Sequence, residues 1–385
     1  MEHLDHYLHI LAERGGSDLF LTPGGAPSVK VDGEIVQLVS HPLGAEDVRA
    51  LAYSAMSPEQ CVAFERDWEM NIARDGGKFG RFRINIYRQR GQVAMTVRHV
   101  ASSIPSLEEL NLPSVLRELI MLPRGLLLFV GAAGAGKSTT MAAMIDYRNR
   151  QHSGHILCVE DPIEYLHEHR RSLVDQREVG FDTHSYADAL HNAMRQAPDV
   201  LMIGEIRDRE TMQQAISYAE TGHLCLSTLH ANNANQTIDR VLNFFPEDAR
   251  QQAMMDLSLN LKAVISQRLL PSAKPHPRRV PAVEVLLSTA HVSDLILKGE
   301  VHALKEAMHN GKNFGMQTFD ESLFQLVKAG LVRHADAIEL ADSRTDLALR
   351  LRLEGMGTPV GDLGKLIEAR AAEAAAEARA AESGG

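Results

Sequence analysis

Cysteine is scarce in this 385-residue chain, which has three, Cys61, Cys158 and Cys225, far apart and without a Cys-x-x-Cys pair. This spacing argues against a disulfide framework and against a cysteine-bound zinc site, and it favours a reducing compartment. No run of eighteen apolar residues occurs, and the N-terminus lacks a basic segment followed by an apolar one. We therefore expect a cytoplasmic protein that meets a membrane only through a partner.

Basic residues are also fewer than acidic ones. The chain carries 40 basic and 50 acidic residues, a net charge of −10, and no patch combines basic with aromatic residues. This balance argues against a surface that coats nucleic acid, so we expect no nucleic-acid partner.

One loop, residues 131–139, matches a phosphate-binding pattern. The fixed positions of GxxxxGK[ST] are filled by Gly131, Gly136, Lys137 and Ser138. In this pattern the glycines let backbone N–H groups surround the phosphates, the lysine reaches the β/γ oxygens, and the serine hydroxyl holds Mg²⁺. An apolar run at 125–130 precedes the loop, and a stretch without Gly or Pro at 137–150 follows it as a predicted helix. The loop predicts a site for a nucleoside triphosphate and Mg²⁺.

Acidic side chains follow two predicted strands. The segment Glu160-Asp-Pro-Ile-Glu164, the acidic box, follows an apolar run, and Glu205 follows the run 200–203. Carboxylates at such strand ends can hold magnesium and polarise an attacking water, although an acidic surface turn and a strand-capping carboxylate are the simpler explanations.

Two histidines bracket another short apolar run. In the segment Thr221-Gly-His-Leu-Cys-Leu-Ser-Thr-Leu-His-Ala-Asn-Asn233, the histidine box, His223 and His230 stand at the ends of the predicted strand. A histidine there can sense a γ-phosphate by hydrogen bonding, but each is more often structural. His167 and His169 are most simply explained as parts of a solvated polar loop.

Arginines are concentrated in a predicted hairpin near residue 90. They are Arg81, Arg83, Arg88, Arg90 and Arg98. Arg81 and Arg83 share one face by the strand period of two, and guanidinium groups suit triphosphates, although solvated strand faces are the simpler explanation.

The order of patterns predicts two α/β domains. Residues 1–100 contain a first helix, two hairpins (28–31 with 34–38, and 79–87 with 93–100) and two helical stretches, and 101–113 form a linker. From 114 to 355, apolar strands alternate with helices, which indicates a parallel sheet followed by a mainly helical part. The predicted strands are 126–130, 155–159, 200–203 and 224–227. The tail, 356–385, is rich in Ala, Glu and Arg and is predicted to be helical or flexible.

Taken in series, these motifs resemble the secretion and type IV pilus ATPase superfamily. The phosphate loop, the acidic box, the segment from Gln196 to Arg207 and the histidine box match in order and spacing. Three further segments narrow the resemblance to the PilT/PilU retraction branch over about residues 1–345: Gly16-Ser-Asp-Leu, Gly80-Arg-Phe-Arg-Ile-Asn and Gly315-Met-Gln-Thr-Phe-Asp320. The resemblance implies a PAS-like N-terminal domain, a RecA-like P-loop ATPase domain and a homo-hexameric ring that binds ATP between subunits.

The resemblance also implies residue roles. The residues that it implies contact the nucleotide are Gly131, Gly134, Ala135, Gly136, Lys137, Ser138 and Thr139. Glu164 is the implied catalytic base, Ser138 and Glu205 support Mg²⁺ through the nucleotide, and His230 reads the nucleotide state. Arg81, Arg83 and Arg98 match the arginines that approach the nucleotide from the N-terminal domain.

Two departures refine the resemblance. The segment 292–300 differs from the usual PilT helix and is closer to PilU, and Ala133 and Ala135 replace hydroxyl residues common in the loop. We therefore expect a motor for pilus retraction and twitching, accessory to a PilT-like paralogue and held at the inner membrane through a pilus platform protein. The alternatives are an assembly or type II secretion ATPase resembling PilB or GspE, a RecA-like DNA motor and a nucleotide-binding scaffold subunit.

Overall fold

The computed structural model describes residues 3–31, 33–100, 103–275 and 277–356. Within it the chain forms two compact units. Of the described residues, those within 1–107, 120–124 and 138–227 form the first unit, and those within 108–119, 125–137 and 228–356 form the second. The tail distinguished in the sequence, 356–385, lies outside the described residues apart from Met356.

The N-terminal part of the first unit is an antiparallel sheet with three helices. Its helices are α1 (Leu4–Glu13), α2 (Ala45–Ser54) and α3 (Pro58–Asp67), and its strands are β1 (Asp18–Leu21), β2 (Ser28–Val31), β3 (Glu34–Gln37), β4 (Glu69–Asp75), β5 (Arg81–Gln89) and β6 (Gln92–Val100). The strand order is β3-β2-β1-β6-β5-β4. Both predicted hairpins, β2 with β3 and β5 with β6, are confirmed. The strands β1 and β4 were not predicted.

This sheet has one apolar and one polar face, because successive strand residues point to opposite sides. Along β5 the side chains of Phe82, Ile84 and Ile86 are buried in the core that also contains the apolar residues of α1. Arg81 and Arg83 alternate with them and therefore lie on the polar face.

The remaining elements are strands interspersed with helices up to β13, followed by helices alone. The strands are β7 (Gly125–Val130), β8 (His155–Glu160), β9 (Leu173–Glu178), β10 (Val200–Ile203), β11 (Leu224–Leu229), β12 (Leu261–Pro271) and β13 (Arg279–Leu287). The helices are α4 (Val115–Ile120), α5 (Lys137–Gln151), α6 (Tyr186–Ala193), α7 (Arg209–Glu220), α8 (Ala234–Asn243), α9 (Glu247–Asn260), α10 (Ala290–Lys298), α11 (Leu304–Asn310), α12 (Phe319–Lys328), α13 (His334–Leu340) and α14 (Arg344–Leu353). All four strands predicted for the parallel sheet are present, with ends shifted by at most two residues.

Within the first unit, β10 pairs in parallel with β11 and β8, and β8 pairs in parallel with β9. The strand β9 was not predicted. Side-chain caps fix where two helices begin: Asp208 accepts the N–H of Thr211 at the start of α7, and Asn233 accepts the N–H of Gln236 at the start of α8. Glu205 and His230 therefore lie in short loops between a strand end and a capped helix start.

Within the second unit, β12 pairs in parallel with β7 and antiparallel with β13. Neither β12 nor β13 is among the four strands predicted from the sequence, although β13 contains an apolar run at 280–286. Helices α12, α13 and α14 pack their apolar residues, such as Phe319, Leu323 and Leu351, against Val280 and Ala282 of β13. Over the parts of the chain that the structure describes, no helix is long and apolar enough to cross a membrane.

One ion cluster stabilises these C-terminal helices. The carboxylate of Glu321 accepts hydrogen bonds from Arg350 at 2.9 and 3.1 Å, from Lys312 at 2.7 Å and from Gln325 at 2.9 Å. Burial alone would raise the pKa of Glu321, but these hydrogen bonds bring it down to about 2. The cluster therefore stabilises the fold above the unfolded-state pKa of a glutamate, about 4.3, and its contribution is lost as the pH falls towards 2.

We expect Glu321→Gln to lower the free energy of unfolding by about 2 kcal/mol at pH 7, a value discounted for the partly exposed Arg350 and Lys312. Urea unfolding at pH 7 and at pH 3.5 measures the effect, and the difference between variant and wild type should shrink at the lower pH. Glu354→Gln, which removes a more exposed pair with Lys328, is the control and should change little. A loss of stability that does not depend on pH would contradict the assignment.

Candidate nucleotide-binding site

The phosphate loop lies in the second unit and connects the buried strand β7 to Lys137, the first residue of α5. Gly131 has φ +144°, and a Cβ there would lie 2.4 Å from the carbonyl oxygen of Gln267. Gly136 has φ +89°, which also favours glycine. The loop backbone therefore adopts a path that other residues would block, as a phosphate cradle requires.

Lys137 closes the loop on itself. Its side chain is buried, and its Nζ donates to the carbonyl oxygens of Gly131 at 2.8 Å and Ala132 at 3.0 Å. An ammonium group held so close to the loop backbone is placed to exchange these carbonyl oxygens for phosphate oxygens.

A cavity of about 380 Å³ opens at this loop. It is lined by Gly131, Ala132, Ala133, Gly134, Ala135, Asn232, Gln267, Arg268, Leu269, Arg279 and Leu340. Two contacts fix the position of the Arg268 side chain. Its guanidinium group stacks on the Phe319 ring at 3.8 Å and forms an ion pair with Asp342 at 2.8 Å. Arg279, at the start of β13, is exposed at the cavity and was not singled out in the sequence, because no motif includes it.

The two histidines of the histidine box differ in environment. His223 packs edge-on against Tyr218 with ring centroids 5.8 Å apart, and its Nδ1 lies 3.1 Å from the Thr221 hydroxyl, as a structural histidine would. His230 is exposed and belongs to the same unit as the phosphate loop, two residues before Asn232 of the cavity lining.

The acidic box lies in the first unit, where β8 ends. Glu160 is buried, and burial raises its pKa to about 7 although Gln176 Nε2 donates to its Oε1 at 3.0 Å and the backbone N–H of Glu164 also stabilises its charge. Glu164 itself is exposed at the turn. The box therefore has a buried acid that shapes the turn and an exposed acid that is free to meet solvent.

The start of α5 touches the acidic box. Thr139 Oγ1 lies 3.0 Å from the Tyr165 hydroxyl, and Ser138 is partly exposed next to it. Gln176 also donates to the backbone oxygen of Tyr165 at 2.8 Å. The start of α5 therefore contacts Tyr165, the residue that follows Glu164, and a shared role of Ser138, Thr139 and Glu164 stays a prediction.

Glu205 follows β10 after Gly204, where a Cβ would lie 2.7 Å from the Tyr186 hydroxyl. Its carboxylate forms an ion pair with Arg207, which also reaches Asp161 at 3.5 Å. Among the residues that the structure describes, no cluster of three or more His, Cys, Asp or Glu side chains has the arrangement of a metal site. A metal ion here would need the oxygens of a bound nucleotide as further ligands.

The segment that carries His167 and His169 is a loop with His169 exposed, as predicted, but the His167 side chain is more enclosed than a solvated residue would be. Burial lowers the pKa of His167 to about 4, and its backbone N–H donates to Gln176 Oε1 at 2.9 Å. His169 accepts the backbone N–H of Val174 at 3.0 Å through Nδ1. The loop packs against β9, a strand that the sequence analysis missed.

The arginines of the N-terminal sheet are engaged by carboxylates of the first unit. Arg81 and Arg83 both contact Glu178, at 3.3 and 3.1 Å, and Arg98 contacts Asp18 at 3.0 Å. Their approach to a nucleotide stays a prediction. Of the proposed site residues, the loop up to Lys137 and His230 belong to the second unit, whereas Ser138, Thr139, Glu164, Glu205 and the arginines belong to the first.

Comparison with known proteins identifies the family. The family model described as type II/IV secretion system protein matches residues 95–341. The type IV pilus ATPase PilU of Pseudomonas aeruginosa is 50% identical over 346 residues, 90% of each chain, and PilT of the same organism, a type IV pilus retraction ATPase, is 40% identical over 86% of this chain and 95% of its own.

A solved structure supports the same assignment. The crystal structure of the pilus retraction motor PilT with bound ADP is 40% identical, covers 90% of this chain and 99% of its own, and superposes with a TM-score of 0.83. This similarity confirms the predicted α/β fold class, with an N-terminal domain followed by a P-loop ATPase domain. The chain therefore belongs to the type II/IV secretion system protein family, in the branch that contains the pilus ATPases PilU and PilT.

Proposed function

We propose that this chain is an ATP-hydrolysing motor subunit that drives type IV pilus retraction, and thereby twitching motility. The main support is that the similarity to PilU extends over nearly the whole of both chains and includes a complete phosphate loop. At Gly131 and Gly136 the loop has backbone conformations that favour glycine, and Lys137 is buried within the loop.

Each group of site residues has a separate role in ATP binding and hydrolysis. The loop from Gly131 to Thr139 binds the phosphates, with Lys137 against the β/γ oxygens. Glu164, exposed and ionisable, orients the attacking water, and His230 reads the presence of the γ-phosphate. Mg²⁺ neutralises charge on the phosphates, and Ser138 and Glu205 would hold it together with the nucleotide.

We propose a homo-hexameric ring in which Arg81, Arg83 and Arg98 act on a nearby nucleotide. The ring works in the cytoplasm beside the inner membrane, through a platform protein of the pilus machinery. A PilT-like paralogue is its partner, and the presence of both PilU and PilT in P. aeruginosa is a precedent for two such proteins in one organism.

The accessory role predicts a specific result in living cells. Expressed alone in a strain that lacks both retraction ATPases, this protein should leave pili extended, whereas co-expression with the PilT-like partner should restore shortening. Pilus length over time, measured by fluorescence microscopy of labelled pili, tests this. Robust retraction by this chain alone would make it the primary motor.

A deletion strain separates retraction from assembly. Loss of a retraction ATPase should leave abundant surface pili with impaired twitching. Loss of an assembly ATPase should leave no surface pili. A deletion strain without surface pili would therefore contradict the proposal.

A further inference from the structure

Two arginines of the N-terminal sheet converge on one buried carboxylate. Arg81 Nη2 lies 3.3 Å from Glu178 Oε2, and Arg83 Nε lies 3.1 Å from Glu178 Oε1. The Glu178 side chain has no exposed surface, and the two arginine side chains are 20% and 27% exposed. Two guanidinium groups therefore share one buried carboxylate, and the carboxylate of Asp182 lies close by, where it accepts the backbone N–H of Glu178 at 2.8 Å.

The strand registers explain why these side chains meet. Arg81 and Arg83 lie on the polar face of β5, two residues apart. Glu178 is the last residue of β9 and pairs in parallel register with Glu160, the first residue of the acidic box. Glu178 is therefore next to the acidic box within its own sheet. Its carboxylate also contacts the two arginines of the N-terminal sheet.

The end of β9 lies beside the start of the acidic box, because Glu178 pairs with Glu160 and the backbone N–H of Val179 donates to the carbonyl oxygen of Glu160 at 2.9 Å. Burial raises the pKa of Glu178, whereas Arg83, Arg81 and the nearby backbone N–H of Ile163 act in the opposite direction. Ile163 immediately precedes Glu164. Two residues back on the same face of β9, Gln176 binds Glu160 and the backbone of Tyr165. The strand β9 therefore connects the arginine pair to the acidic box through two side chains.

A buried carboxylate is costly unless charged partners compensate it, so an apolar residue would serve simple packing better. The arginine pair also borders a cavity, whose lining includes Asp18 together with arginines. A polar cavity of about 320 Å³ lies beside the pair and is lined in part by Arg83, Arg98, Asn85 and Phe181. Arg83 is therefore held on one side by Glu178 and borders open space on the other.

We propose that Glu178 is a positioning residue for ATP hydrolysis, which holds Arg81 and Arg83 side by side against the acidic turn so that these two arginines meet the terminal phosphate of a bound triphosphate. The inference rests on the proposed ATPase function and adds a residue that none of the motifs includes. It gives the N-terminal domain a fixed electrostatic contact with the turn that carries the proposed base.

The test is Glu178→Gln in the full-length protein, which keeps the side-chain volume and removes the charge. We expect kcat for ATP to fall about tenfold to 100-fold, because displaced catalytic groups lose rate steeply with position. ADP should bind as in wild type, since the phosphate loop is unchanged. The wild-type preference for a non-hydrolysable ATP analogue over ADP should be lost. Glu178→Asp, which keeps the charge, should retain more activity than the glutamine variant.

Glu65→Gln is the matched control, because Glu65 also pairs with an arginine of β5, Arg88, but at the surface. It should leave turnover and nucleotide preference unchanged. A purely structural Glu178 would lower the melting temperature without changing the preference between the two nucleotides.

The double variant Glu178→Gln with Arg83→Gln should be no slower than the worse single variant. Unchanged or faster turnover of Glu178→Gln, or losses that multiply in the double variant, would overturn the proposal. If the wild-type protein hydrolyses no ATP, the proposed function fails, and the nucleotide preference of Glu178→Gln still decides the role of Glu178.

Discussion

Replacing Lys137 by alanine is expected to reduce ATP turnover by about 100-fold to 1,000-fold while the protein stays folded. The ammonium group donates to two carbonyl oxygens of the phosphate loop, so it is already inside the cradle that phosphates would occupy. Its removal deletes the positive charge that offsets the developing charge on the phosphates. Because the ammonium group donates to loop carbonyl oxygens, we expect the melting temperature to stay within about 5 °C of wild type.

A coupled phosphate-release assay and a thermal melt of the same preparation check both parts of this expectation. Lys328→Ala is the control, because Lys328 forms a surface pair with Glu354 at 3.4 Å in the C-terminal helices. Near-normal turnover of the Lys137 variant would remove the nucleotide site from this loop. A large loss of melting temperature would mean that the two hydrogen bonds hold the loop together in the absence of nucleotide.

The parts of the fold that could be predicted from sequence are those with a local signal. The hairpin of β2 and β3 has its turn residues between two alternating runs, and β7 is an uninterrupted apolar run before a glycine loop. The strand β9 has no such signal, because its sequence, Leu-Val-Asp-Gln-Arg-Glu, is mostly polar. It is a strand because its backbone pairs with β8 and its polar side chains find partners there.

The candidate site also has parts that a local sequence signal predicts and parts that it does not. The phosphate loop, the acidic box and the histidine box are contiguous motifs, so their residue types alone indicate phosphate chemistry. The contacts of Glu178 with Arg81 and of Gln176 with Glu160 join residues that are distant in sequence or lie on a strand that was missed. No periodicity or spacing predicts such pairs, because tertiary packing determines them.

Glu164→Gln is expected to bind ATP and Mg²⁺ with near-normal affinity and to hydrolyse ATP about 10²–10⁴-fold more slowly. Glutamine has nearly the same shape, and the backbone N–H of residue 164, which stabilises Glu160, is unaffected. The acidic turn should therefore keep its conformation while the exposed side chain loses the ability to accept a proton or orient water. Single-turnover hydrolysis together with titration of a fluorescent ATP analogue separates the chemical step from binding.

Two further variants make this result specific. Glu168→Gln, in the same loop, removes an exposed carboxylate that pairs with Arg170 at 3.1 Å, and it should hydrolyse ATP at the wild-type rate. Glu160 is the competing candidate for the base, but it is buried and its Oε1 accepts from Gln176, whereas Glu164 is exposed at the turn. If Glu164→Gln keeps normal turnover, or loses ATP binding without a slower chemical step, Glu164 is not the base. Lost ATP binding without a slower chemical step would assign Glu164 to binding, because its carboxylate would then have no part in activating water.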